Sequence, residues 1–218
     1  MKYGQIAGNK SINATIYRCF EHICEEDARK FVRKFNDQRH DGVQVMHTFR
    51  ELILGAYLAL SGLNVRYDYV VGTETPDWCV LDETSAPKII VELTNFHIDK
   101  ATEDAIEAKR QAGGMWVGWI GRNDDRLYNS IWHKASIYKT LVEECGISYS
   151  IAVFGEFPAA VDIDELHRCL FDRESGLFEL YPVVSGVLFF EEISGQYQFS
   201  YMPNPEPLKA LSLPNGVF

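Results

Sequence analysis

Lys88-Ile89-Ile90-Val91-Glu92-Leu93-Thr94 is a near-continuous apolar run broken by one carboxylate. A run of this length and β-branched content marks a strand covered on both faces. An ionised carboxylate in such a strand costs several kcal/mol unless a cation or hydrogen-bond donors meet it. Glu92 is therefore the residue to explain. Thr94 shares its strand face, because side chains two apart point the same way.

Upstream, Trp78–Leu81 reads as a short strand, followed by a turn over Asp82–Pro87, so two antiparallel strands are expected to meet here. Asp77 stands at the entry of the first, behind Pro76, whose fixed φ stiffens the approach. A short connection of this kind brings Asp77 within a few ångströms of Glu92. Val65–Val71 is strand-like and ends in the turn chemistry of Gly72–Pro76. Before it, Val45–Leu60 is apolar at 46, 49, 52, 53, 56, 57 and 60, with Gly62 where a helix stop belongs, which predicts a long, largely buried helix. Glu51 lies in that helix. It faces the site, pairs with Arg50, or faces solvent. Residues 25–36 place Ala28, Phe31, Val32 and Phe35 on one helical face and Arg29, Lys30, Arg33 and Lys34 around the rest.

Downstream, Met115–Ile120 reads as another strand. Residues 124–144 repeat apolar positions at 127, 131, 134/135, 138, 141 and 142 behind an Asn123/Asp124 cap, the pattern of a helix. Ser148–Phe154 is a buried strand, Asp162–Leu170 a short helix, and Gly186–Ile193 with Gln196–Tyr201 a hairpin about Ser194-Gly195. The Pro-broken tail from Asn204 is expected over the surface. The order of elements predicts an α/β (α+β) domain with a central mixed sheet flanked by helices and a C-terminal β-hairpin extension. The whole of 1–218 reads as one domain, with an N-terminal helical segment at 1–44, a core at 45–155 and an extension at 156–218.

Three acids gathered in a half-buried place repel one another, and a hard divalent cation removes the conflict. Mg²⁺, with Mn²⁺ as an alternative, takes oxygen ligands and keeps several waters. Metal-assisted phosphodiester hydrolysis is the chemistry such a group points to.

A glutamate in an early helix, then Pro76-Asp77 at a strand start, then Glu92-Leu93-Thr94 on the next strand, resembles the PD-(D/E)XK nuclease superfamily over residues 45–155. The resemblance implies a restriction-endonuclease-like core, Asp77 and Glu92 as metal ligands, and Glu51 as an auxiliary acid. It departs at the motif lysine, where Thr94 stands. Lys134 and Tyr138, at i, i+4 on the helix over 124–144, are similar to the Gln-x-x-x-Tyr motif some members carry there. The resemblance gives Lys134 as the substitute amine; Lys139 and Lys100 are alternatives. Without such an amine, it implies a catalytically inactive scaffold that binds nucleic acid or a protein. A third reading is an unrelated domain in which an arginine such as Arg66 neutralises Glu92.

Charge limits how a nucleic acid would be held. The chain of 218 residues has 21 Lys/Arg against 31 Asp/Glu, a formal charge of −10, so contact with DNA requires a local patch rather than bulk attraction. Residues 1–50 hold nine basic against six acidic side chains, and residues 151–218 three against ten. The front half is the part able to face an anion, and the backbone contact is expected from the basic residues of the 25–36 helix or, further along, from Arg122 and Arg126. His47 and His97 lie near the acids in sequence, but histidine is not the preferred ligand of Mg²⁺. Trp116, Trp119 and Trp132 read as core.

Five cysteines with no C-x-x-C spacing read as reduced thiols. With no signal peptide and no run of about 20 apolar residues, a soluble cytoplasmic protein without membrane contact is expected. Nucleic acid, DNA first, is the partner implied, with a homodimer left open.

Overall fold

The computed structural model describes residues 9–95, 100–115, 124–155, 163–172 and 176–218. Three helices come first, α1 (Lys10–Phe20), α2 (Glu25–Asp37) and α3 (Gly42–Leu60), followed by β1 (Val65–Tyr67), β2 (Trp78–Leu81) and β3 (Pro87–Asn95). Helices α4 (Lys100–Gln111) and α5 (Asp124–Cys145) lead to β4 (Ser148–Gly155). Then come α6 (Ile163–Phe171), α7 (Leu177–Leu180), β5 (Gly186–Ile193), β6 (Gln196–Pro203) and β7 (Gly216–Val217).

All seven strands form one mixed sheet in the order of the chain. The pairs β3/β4 and β4/β5 are parallel and the rest antiparallel. Parallel pairs need long crossovers. Here α4 and α5 supply the first, and α6 with α7 the second. One face, including Trp78, Val91 and Leu93, packs on α1–α3; the other, including Cys79, Ile90, Ile151 and Val153, packs on α5–α7. Strand β3 is thus covered on both sides, which is why its sequence does not alternate.

Helix α3 begins at Asp41, whose carboxylate accepts from the N–H groups of Val43 and Gln44. It ends at Ser61, and Gly62 takes φ +84°, the left-handed step that glycine makes without strain.

Four expectations change. Strand β1 stops at Tyr67 because Asp68 turns the chain at φ +47°, leaving only a Val71–Glu74 bridge beyond it. On α2 the apolar face is narrower than its sequence suggests: Phe31 is buried while Val32 is 47% exposed. The tail does more than cover the surface. Phe218 exchanges two backbone hydrogen bonds with Tyr197, Tyr57 Oη donates to Pro214 O at 2.7 Å, and β7 completes the sheet. Trp132 is 44% exposed rather than core, since it lies on the outward face of α5 between the inward Ile131 and Ala135. The strand expected from Met115 lies, apart from Met115 itself, outside the described residues, as do Trp116, Trp119, His97, Arg122 and Asn123.

The hairpin falls as the turn at Ser194-Gly195 predicts, with Ile193 paired to Gln196. It is no appendage: β5 pairs with β4 across the core. Among the described residues, no helix is long and apolar enough to cross a membrane.

Candidate active site

Register places the two acids. Trp78 pairs with Val91 and Cys79 with Ile90, so one step further along the antiparallel ladder Asp77 lies opposite Glu92. Side chains directly opposite sit about 5 Å apart at Cβ. The backbone at this end of β2 is held by the side chains themselves. Asp77 N–H donates to Glu92 Oε1 at 2.9 Å, and Leu93 N–H donates to Asp77 Oδ2 at 2.8 Å. Each carboxylate thus binds the other's strand, and the pair cannot separate without breaking both bonds.

Helix α5 lies over the same face. Its apolar stripe of Leu127, Ile131, Ala135, Leu141 and Val142 is buried against the sheet, which turns Lys134 and Tyr138 toward β3. Tyr138 O–H donates to Glu92 Oε1 at 2.8 Å, and Lys134 Nζ forms an ion pair with Glu92 Oε2. Burial disfavours a charged Lys134, but Glu92 and Asp77 outweigh it and raise the lysine's pKa. The amine stays an ammonium. Arg66 does not serve Glu92: it pairs with Glu26 and Asp27. Lys139 is exposed.

Glu51 stands on the other face of the sheet. Its Oε2 accepts from Tyr67 O–H at 2.6 Å and from Lys34 Nζ at 2.8 Å, and His47 Nε2 is 3.0 Å from its Oε1. His47 also contacts the Asn95 amide at the end of β3. Nor is His47 placed as an additional ligand beside Glu92; it serves Glu51. Burial opposes ionisation of Glu51, but the His47 hydrogen bond and the Lys34 charge overcome it and lower the carboxyl from 4.5 to about 2. Stability from this group is complete above pH 4.5 and is lost as pH falls toward 2. Urea midpoints measured between pH 5 and 2 should fall steeply in the natural protein and more gently in Glu51→Gln; parallel curves would remove the assignment.

Asp77 behaves in the opposite sense. Burial first, then the negative charges of Glu92 and Glu51, push its carboxyl from 3.8 to about 7, against the help of Lys134 and the Leu93 N–H. Ionisation of Asp77 is therefore resisted at this site despite Lys134. No family model, curated protein or solved structure matches the chain.

The donor set can be compared with a metal's needs. Among the described residues, no three His, Cys, Asp or Glu side chains are grouped to enclose an ion. Two carboxylates on neighbouring strands, with the Thr94 hydroxyl on the Glu92 face of β3, remain. That set fits an ion which accepts one or two carboxylates and completes its shell with water, as Mg²⁺ does. Such an ion would favour the ionised form of Asp77, which burial and the neighbouring acids oppose.

Sequence reading missed Lys34 and Tyr67. Lys34 belongs to a helix read as having a basic outer surface, yet Lys30 and Lys34 flank the buried Phe31 and bend their stems inward, Lys30 to Asp27 and Tyr67 O, Lys34 to Glu51. The signal was available: Lys34 stands three residues after Phe31, one turn along the same face.

Proposed function

We propose that the chain is a metal-dependent phosphodiester hydrolase of the PD-(D/E)XK kind that acts on nucleic acid, with DNA the expected substrate. The observation that carries this reading is Lys134 reaching Glu92 from α5 beside Asp77, which supplies an ammonium where Thr94 cannot. Asp77 and Glu92 would hold Mg²⁺ or Mn²⁺; such an ion, when bound, supplies charge for a phosphoryl oxygen and a more acidic water. Tyr138 and the Asp77 N–H fix the Glu92 carboxylate in one orientation. Lys134 presents a positive charge to the phosphate undergoing attack. Glu51, satisfied by Lys34, His47 and Tyr67, tunes the site through its charge on Asp77.

Backbone contact would fall to the exposed Arg33 of α2 and Arg126 of α5. A cytoplasmic location and a homodimer belong to the same proposal.

A second reading has its own support. Both Glu92 oxygens already have partners, so the fold is also consistent with a scaffold that binds a partner without catalysis. Lys134→Met separates the two. On the hydrolase reading it should cut plasmid DNA about 100-fold more slowly while calorimetry shows Mg²⁺ bound at least as tightly, because the ammonium no longer competes for Glu92. Leaving Glu92 without its partner should also cost about 3 kcal/mol of stability. Absence of cleavage and of Mg²⁺ or Mn²⁺ binding in the natural protein would leave the scaffold.

A further inference from the structure

Tyr149 presents an anomaly behind Glu92. It lies on β4 beside Ile90 of β3, on the face that carries Glu92, and is completely buried. Its backbone is pinned on both sides: the N–H donates to Ser185 Oγ at 3.0 Å and the C=O accepts from Ser185 N–H at 2.7 Å. Its ring packs on Tyr138 with centroids 5.4 Å apart. Yet among the described residues no group forms a hydrogen bond with its hydroxyl.

A buried phenol without a partner is costly, and a phenylalanine would fill the same space without that cost. Neighbouring hydroxyls are committed elsewhere. Ser150 Oγ donates to Gly186 O, and Tyr138 O–H donates to Glu92. Burial and then the charge of Glu92, with Tyr138 and Asp77 behind it, hold the phenol far above its usual pKa, so it remains a donor. Tyr138, whose ring it touches, donates to Glu92, and Glu92 lies two residues along β3 from Ile90, the strand partner of Tyr149, on the same face.

We infer that Tyr149 is a positioning residue for Glu92, its hydroxyl donating to a buried water that in turn donates to the Glu92 carboxylate. The water fits the chemistry: it satisfies one donor and one anion together, as buried waters do between polar groups that cannot touch. Tyr138 and Tyr149 would then brace the same carboxylate, one directly and one through the water. Glu92 keeps the orientation needed opposite Asp77 when Lys134 is drawn toward a substrate.

This inference deepens the hydrolase reading, but its test runs without metal or nucleic acid. Thermal unfolding of Tyr149→Phe at pH 7 should show Tm lowered by about 2–4 °C, and most of that loss should vanish in a Glu92→Gln background. An unchanged or raised Tm in Tyr149→Phe, or an equal loss in both backgrounds, overturns the inference. Should Glu92→Gln fail to fold, a high-resolution crystal structure decides: a water touching both Tyr149 Oη and Glu92 supports it, and its absence refutes it. Where Mg²⁺ binds, its dissociation constant should rise about 10-fold in Tyr149→Phe. If the natural protein binds no Mg²⁺, the hydrolase reading fails while the thermal result still stands.

Discussion

Asp77→Asn is expected to abolish cleavage and at the same time make the protein more stable above pH 7. The two effects share one cause. In the folded chain the Asp77 carboxyl titrates near 7, against 3.8 for an ordinary aspartate, because burial and the charges of Glu92 and Glu51 oppose its ionisation. Between those values the folded protein keeps a proton that the unfolded chain releases. Stability therefore falls as pH rises through this window and levels off above about 7. An asparagine carries no charge and can still accept the Leu93 N–H with its Oδ1, so the slope should disappear. Activity moves the other way. On the hydrolase reading proposed above, this removes a metal ligand, and the rate should drop by at least about 1000-fold, roughly 4 kcal/mol of transition-state stabilisation. Mg²⁺ affinity of the natural protein should strengthen as pH rises toward 7, since proton and metal compete for the same oxygens. Denaturation curves from pH 4 to 8, with cleavage assays on both proteins, check each part. Cleavage within 10-fold of the natural protein would remove Asp77 from the chemistry. An unchanged pH slope would show that its charge is not strained.

How much of this was legible depends on which interaction decided each element. The long buried helix, β2, β3, β4 and the hairpin were readable because periodicity and turn residues report local choices. The facing of Asp77 and Glu92 was readable for a related reason: a short turn between two apolar runs leaves few registers. Lys134 and Tyr138 were singled out by the resemblance, and their i, i+4 spacing set them on one face of the helix. What failed was non-local. Phe218 and β7 gain their places through Tyr197 and Tyr57, which lie far away in sequence, and nothing in a Pro-broken tail announces that. Val32 and Trp132 look like core in composition, but a helix buries only the stripe its neighbours cover. Glu51 was placed in the correct helix, while two of its partners, Lys34 and Tyr67, come from α2 and β1, whose docking no local pattern specifies. Lysines from two different helices already meet Glu51 and Glu92, pairings that no local pattern announces. Among the described residues, no cation forms an ion pair with Asp77.

A large loss of stability is also expected at a residue that carries no chemistry. Gly55 sits in the middle of α3, where the indole of Trp78 comes close to the helix backbone. A Cβ at this position would fall inside the ring, against Cζ2, Cε2 and Cη2. The ring has nowhere to go. Its Nε1–H donates to Glu51 O at 2.8 Å, and Tyr67 and Phe31 hold it from the sides at centroid distances of 5.2 Å and 5.9 Å. Alanine is the better helix former by about 1 kcal/mol, yet the overlap should reverse that gain, and Gly55→Ala is expected to destabilise the fold by about 3 kcal/mol in urea titrations. Gly62→Ala provides the contrast. There a Cβ meets nothing within 4 Å, and only the φ of +84° resists the change, so the loss should be nearer 1 kcal/mol. Combining Gly55→Ala with Trp78→Leu should cost clearly less than the sum of the two, because the second change removes the atoms with which the first collides. The consequence reaches the site through the chain. Asp77 precedes Trp78, so a displaced indole drags the register that sets Asp77 opposite Glu92. Gly55→Ala should therefore lose cleavage even at temperatures where it remains folded. Full stability in Gly55→Ala would mean that the indole does not rest on α3, and the anchor for β2 would have to be sought elsewhere.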